Sequence, residues 1–184
     1  MGVTTEQPRE HRFRAVFAET HDDVLRFVQR RVHPTQAEDV VAETFLVVWR
    51  RLDDAPARTD PLRAWVFTIA RHCLLNARRG EQRRTALTVR LADVSPRTQT
   101  VDPELAAQRV DLARAWQRLS AVEQEALALT VLDDLTSPQA ARVLGISPAA
   151  YRLRLMRARR ALRHHLDASD PAAASAALAK ETLR

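Results

Sequence analysis

Residues 136–165, T-S-P-Q-A-A-R-V-L-G-I-S-P-A-A-Y-R-L-R-L-M-R-A-R-R-A-L-R-H-H, leave little freedom in how they fold. Ser147 and Pro148 together open a helix: the serine hydroxyl can accept from an orphan backbone N–H, and proline at the first helical position forfeits no hydrogen bond. Gly145 sits where a preceding helix must end, because the left-handed backbone that closes a helix suits glycine. Thr136 caps that preceding helix, with Pro138 in its first turn, and Ile146 is placed to plug the gap between the two. A short helix, a tight turn and an arginine-laden second helix make the plan of a helix-turn-helix, whose second helix enters the DNA major groove.

The second helix divides cleanly by face. At about 100° per residue, Tyr151, Leu155, Ala158 and Leu162 share the core side. Ala149, Arg152, Leu153, Met156, Arg157, Arg160 and Arg163 lie opposite. Leu153 and Met156 are odd choices for solvent but suit thymine methyls or sugar edges. Arg159 and Arg163, near the helix end, suit phosphate contact or the helix dipole. A lone basic helix is more often a solvated face; here the turn, the caps and the N-terminal place of Arg152 favour DNA.

Composition bounds the rest. The 184 residues carry a net charge of +6, and Lys180 is the only lysine. Arginine forks onto phosphates and guanine edges where lysine acts as a point charge. The bias towards arginine and alanine also fits a GC-rich genome, so placement says more than content. Three glycines and no strand-like alternation point to an all-α chain. Cys73 stands alone, which excludes an internal disulfide and a cysteine-rich zinc site. The polar N-terminus and the lack of a long apolar run give no signal peptide and no membrane insertion, so a cytoplasmic protein is expected.

Three helical segments fill the first half. The first runs from about Arg9 to Val32, with Phe13, Val16, Phe17, Val24, Leu25 and Val28 apolar and a break expected near His21. His33-Pro34 stops it, since the residue before a proline avoids the helical region. Thr35 is expected to cap the second, residues 36–52, with Glu38 completing a capping box. Its stripe is Ala37, Val41, Thr44, Phe45 and Val48, with Val40 and Trp49 flanking. Asp60 and Pro61 then open a third, to about Arg84, burying Leu62, Trp65, Val66, Ile69 and Cys73. Residues 85–102 lose periodicity. Asp102-Pro103 restarts a helix, with Leu105, Val110, Leu112 and Trp116 available for packing, and Ser120 with Glu123 opens the next through a second capping box. The expected layout is two small helical domains, 8–84 and 102–166, joined by a flexible linker, 85–101, and followed by a short alanine-rich tail, 167–184.

Taken together, the halves resemble one family. A-E-D-V-V-A-E-T-F-L-V-V-W-R-R-L (37–52) resembles the core-polymerase-binding helix of bacterial sigma factors. P-L-R-A-W-V-F-T-I-A-R-H-C-L-L-N-A-R-R (61–79) follows at the family's spacing and resembles the promoter-melting helix. Residues 119–166, with L-G-I-S and R-L-M-R-A-R, resemble sigma region four. The intervening sequence is too short for a region-three domain, which is the form of extracytoplasmic-function (ECF) sigma factors. The resemblance implies that RNA polymerase core is the partner, through the β′ coiled coil and the β flap, that promoter DNA is the ligand, and that an anti-sigma factor can be a further partner. Asp39 and Glu43 would then face basic residues of the β′ coiled coil; from pattern alone they are ordinary solvated acids. Arg63, Arg71, Asn76, Arg78 and Arg79 would contact the −10 strand, and Phe67 would either stack on an exposed base or pack against the first helix. For the −35 element the family's reading positions fall on Arg152, Leu153, Met156 and Arg157, with Arg154 beside them. The chain departs from the pattern at Ala42, where glutamine is usual, and at Ser120 (proline), Gln124 (arginine), Leu153 (serine) and His72 (asparagine).

Two other readings compete. A free-standing helix-turn-helix regulator of the LuxR type explains the C-terminal half equally well but leaves residues 37–79 as an unexplained bundle. An enzyme would need catalytic or metal-binding residues. Glu38, Asp39, Glu43, His164 and His165 are the available groups, but adjacent histidines diverge on a helix and no H-E-x-x-H motif exists. No catalytic residue, metal or cofactor is expected.

Overall fold

The computed structural model describes residues 6–77, 89–90 and 103–168. Those residues build an all-helical molecule of two parts: α1 (Glu6–Gln29), α2 (Pro34–Arg50) and α3 (Thr59–Ala77), then α4 (Pro103–Arg118), α5 (Ala121–Val131), α6 (Ser137–Leu144) and α7 (Pro148–Asp167). A turn of 3-10 helix, Leu52–Asp54, bridges α2 and α3.

α1 is unbroken, against the expected interruption near His21. No glycine or proline follows Pro8 in it, Thr20 returns its hydroxyl to the Val16 carbonyl at 2.7 Å, and the His21 ring stacks on Phe17. α2 also starts differently. His33, extended at φ −63° and ψ 144°, is the cap, and its Nδ1 accepts from the Thr35 N–H. The Thr35–Glu38 capping box therefore does not form, because Pro34 forces its predecessor into extended backbone and itself supplies the first helical φ. α3 begins at Thr59, which puts Asp60 inside the first turn, where a carboxylate suits the helix dipole.

Val16, Val24, Phe27 and Val28 of α1 meet Val40, Val41, Phe45 and Val48 of α2 and Leu62, Val66, Ile69 and Leu74 of α3, all buried. Burying side chains of this size contributes about 1.5–3 kcal/mol each, which fixes the three-helix packing. Trp65, expected in the core, is only half-buried against it. In the second part Trp116, Leu119, Leu127, Leu129, Val143, Tyr151 and Leu155 are buried. Leu105, Val110 and Leu112 are not: residues 104–110 of α4 are all exposed, and only the last turns of that helix reach the core. The box expected at Ser120 is present, with Ser120 N–H donating to Glu123 Oε2 at 2.9 Å and Glu123 N–H donating to Ser120 Oγ.

The two parts are packed on each other. α3 lies along α6, and one continuous set of buried apolar residues runs through both. Of residues 85–102, Val89 and Arg90 are described. Val89 is buried between the parts, its N–H donating to Gln124 Oε1 at 3.1 Å and its carbonyl accepting from Trp116 Nε1 at 2.7 Å. Arg90 N–H donates to the Arg30 carbonyl, and its guanidinium reaches the carbonyls of Gln29 and Val32 at the end of α1.

Candidate nucleic-acid interface

α6 ends as its sequence demands. Gly145 takes φ +66°, its N–H donates to the Arg142 carbonyl, and Ile146 N–H donates to the Ala141 carbonyl. This is the Schellman pairing, and it turns the chain within two residues. Ser147 Oγ accepts from Ala150 N–H at 3.1 Å, and Pro148 follows at the start of α7. Tyr151, Leu155 and Ala158 are buried, with Leu162 half-buried on the same side. The Tyr151 hydroxyl donates to the Ala126 carbonyl at 2.8 Å, so Thr130 Oγ1, 2.7 Å away, donates to it in turn. These bonds and the apolar stripe fix how far α7 is rotated.

That rotation leaves Arg152, Leu153, Met156, Arg157, Arg160 and Arg163 exposed and Arg154 half-buried at the edge. Leu153 is 45% and Met156 57% exposed, large values for apolar side chains that touch nothing of the chain's own core. A convex helix with guanidinium groups around two apolar side chains can offer both phosphate contacts and methyl contacts in a groove.

The α3 residues are arranged otherwise. Arg63 Nε donates to Asp23 Oδ2 at 3.0 Å, and its two terminal nitrogens donate to the Asp133 and Asp134 carbonyls at 2.8 Å each. Arg71 is buried and forks onto Glu125, at 2.8 and 3.3 Å. Phe67 is fully buried, edge-on to Phe27 with ring centroids 5.0 Å apart and the Arg63 guanidinium 5.3 Å from its ring. Of its two expected roles it takes the packing one against α1. The α1 residue Phe27 was absent from the expected apolar stripe, which is why an outward-facing Phe67 remained open on sequence alone. Asn76 is exposed, and Arg78 and Arg79 lie outside the described residues.

Sequence reasoning missed the acceptors. Asp133 is buried and takes Arg31 at 2.8 Å and Arg30 as well, while Arg31 also donates to the Phe27 carbonyl within α1. Burial pushes the Arg31 guanidinium pKa down, and Asp133 opposes that shift. The available signals were Glu125, an acid inside the apolar run E-A-L-A-L, and the paired arginines Arg30 and Arg31 just past the end of α1.

On α2, Asp39 and Glu43 are exposed, in line with Ala42 and Leu46. Leu46 is 56% exposed, and beside that strip an aromatic cluster of Phe13, Phe17, Phe45 and Trp49 closes the groove between α1 and α2. An acidic face with an apolar centre suits a basic helical partner. Among the described residues no group of acids, histidines and cysteine is placed to hold a metal, and no helix is long and apolar enough to cross a membrane.

Comparisons with known proteins agree with this layout. The model of sigma-70 region 2 matches residues 16–84, and that of sigma-70 region 4 matches residues 109–162. The first match accounts for the bundle that a free-standing helix-turn-helix regulator leaves unexplained. The ECF sigma factor SigL of Mycobacterium tuberculosis is 34% identical over 129 residues, 70% of this chain and 73% of SigL. The sigma factor CnrH of Cupriavidus metallidurans is 33% identical over 147 residues, 74% and 76% of the two chains. The solved structure of CnrH in complex with the cytosolic domain of CnrY superimposes with a TM-score of 0.57 at 28% identity, covering 86% of this chain and 89% of that one. The sigma factor RpoE of Bartonella quintana, solved with the anti-sigma factor NepR, shares the fold with a TM-score of 0.55 at 22% identity over 90% and 98% of the chains. The chain is therefore a member of the ECF family of RNA polymerase sigma factors, with regions 2 and 4 for promoter recognition and transcription initiation and no enzymatic activity of its own.

Proposed function

We propose a division of labour by helix face. α2 docks on the core polymerase through Asp39 and Glu43, with Ala42 between them and Leu46 next along the same face. The outward side of α7 reads the −35 element through Arg152, Leu153, Arg154, Met156 and Arg157. The α3 side, with Arg63, Arg71 and Asn76, takes the −10 strand, Arg78 and Arg79 next in the sequence contribute to the same contact, and Phe67 serves as its packed base. The exposed arginine face of α7, rotated outward by the Tyr151 anchor, is the observation that carries this reading. An anti-sigma partner belongs to the same reading, since CnrH was solved with CnrY and RpoE with NepR. So does a cytoplasmic location, where the polymerase works.

The test is run-off transcription with purified core on genomic fragments, together with core binding. The D39R/E43R variant is expected to lose at least tenfold in core affinity with its helicity intact; undiminished binding refutes the α2 assignment. Loss of −35-dependent transcription in R152A or R157A, with core binding retained, is expected from the α7 assignment.

A further inference from the structure

We propose that Arg9 and Arg12 are positioning residues for promoter melting, acting through the turn that joins the polymerase-docking helix to the strand-taking one. The inference rests on the roles given to α2 and α3 above. That turn, Leu52–Asp54 and the residues on to Thr59, is bonded internally only at short range. Asp54 N–H donates to the Arg51 carbonyl, Ala55 N–H to the Leu52 carbonyl and Leu62 N–H to the Arg58 carbonyl. Leu52 and Ala55 are buried, whereas residues 57–60 are exposed. The side chains that fasten the turn come from 40 to 44 residues earlier in the chain, in the first two turns of α1.

Arg9 makes three contacts with one guanidinium. Nη1 donates to Asp53 Oδ2 at 2.8 Å, Nη2 donates to the Trp49 carbonyl at 2.8 Å, and the group lies 5.1 Å from the centre of the Trp49 ring. A cation on a carbonyl of the last turn of α2 also suits the negative end of that helix. Arg12 Nη2 donates to the Ala55 carbonyl at 2.6 Å. Together they hold the end of α2, the acid of the turn and the residue that follows it. Apolar burial already sets how α1, α2 and α3 pack, so what the two arginines add is the course of the junction. The junction leads into Thr59, the first residue of α3, and so sets where the strand-taking helix starts. A strand held on α3 while α2 is docked loads this junction, and a junction fixed beforehand costs little to order when the strand is taken. Melting must offset lost base pairs with strand contacts, so it is the step most sensitive to that cost. Docking through Asp39 and Glu43, in the first half of α2, is not.

The experiment uses the full chain with core polymerase on a promoter found by the run-off assay, both as duplex and with its −10 segment pre-melted. Permanganate reactivity of unpaired thymines reports melting, and run-off product reports transcription. R9A/R12A is expected to bind core within twofold of the parent, to melt the duplex at least tenfold less, and to transcribe the pre-melted template within twofold. D53N, which removes the charge facing Arg9 but leaves its bond to the Trp49 carbonyl, is expected to fall between the parent and the double variant. N76A, exposed on α3, checks the reading beneath and is expected to reduce melting as well. Circular dichroism checks the fold, and R12A alone, which leaves every Arg9 contact in place, serves if the double variant unfolds. Melting undiminished in R9A/R12A but reduced in N76A overturns the brace alone. Melting undiminished in both overturns the brace together with the α3 reading. Equal losses on duplex and pre-melted templates, or a loss of core binding, also overturn it, since either marks a general effect on the fold.

Discussion

Tyr151 shows how one buried polar side chain sets a functional surface. Its hydroxyl ties α7 to Ala126 and Thr130 of α5, and every residue on the outer face inherits its direction from that anchor. The Y151F variant is expected to lose about 1–2 kcal/mol of stability, the effect of leaving buried partners unsatisfied, measurable by urea unfolding. Burial also lifts the Tyr151 phenol above its ordinary value of 10.0, and the buried Cys73 thiol above 9.0. The unfolded chain therefore releases these protons before the folded one does. Their contribution is fully present below the ordinary values and is lost as pH rises through the folded ones. The unfolding midpoint is expected to hold up to about pH 9 and then decline, less steeply for Y151F. A midpoint unchanged through pH 11, with parent and variant alike, would contradict this. Leu153 is the other informative residue: it stands 45% exposed on the outward face of α7, the face proposed to read the −35 element. L153S is expected to change base preference at the contacted −35 position while leaving stability within about 0.5 kcal/mol, since it removes no core contact. Competition binding with single-base variants of the duplex measures this.

At the scale of elements, the turn of the helix-turn-helix is the cleanest case. A Cβ built on Gly145 meets nothing within 4 Å, so the G145A variant is strained only by its φ of +66°. The expected loss is about 1–2 kcal/mol with the turn retained, and duplex affinity should follow stability rather than collapse. This element was legible because its rules are local: Ser147, Pro148, Gly145 and the Ser120–Glu123 box each act within four residues. Elements failed where a neighbour decided the outcome. Pro34 makes His33 the cap in place of Thr35, because the proline that ends one helix also sets the first φ of the next. The continuity of α1 past His21 rests on Phe17 and on the packing of α2, which no window of α1 alone displays. Leu105, Val110 and Leu112 have helical spacing suited to a core, but the bundle ends before reaching them. The candidate site divides in the same way. The outward face of α7 followed from periodicity and the role of Asp39 and Glu43 on α2 from the family resemblance, whereas Arg71 and Glu125 lie 54 residues apart, and an acid inside an apolar run marks a buried carboxylate without naming its partner.

For the whole molecule, the contacts that close it are mostly buried, and this determines how opening must be read. Asp133 and Glu125 are almost wholly shielded, so moderate salt screens their pairs weakly, in contrast to exposed pairs such as Arg14–Glu10. Salt alone is therefore a poor way to open the chain, and a local reporter at the seam is better. Trp116 provides one: its indole N–H donates to the Val89 carbonyl at the junction of both domains and the connecting segment. In the closed molecule that proton is expected to exchange slowly with solvent. The half-buried indoles of Trp49 on α2 and Trp65 on α3 serve as internal comparisons. E125Q/D133N, which removes the charges that Arg71, Arg30 and Arg31 pair with, should raise the Trp116 rate by at least tenfold. Indole resonances assigned through W116F, followed by hydrogen exchange at constant pH, make the comparison. Equal acceleration at all three tryptophans would mean that the variant loosens the fold generally. Acceleration confined to Trp116 would tie the release of the connecting segment to the loss of those ion pairs.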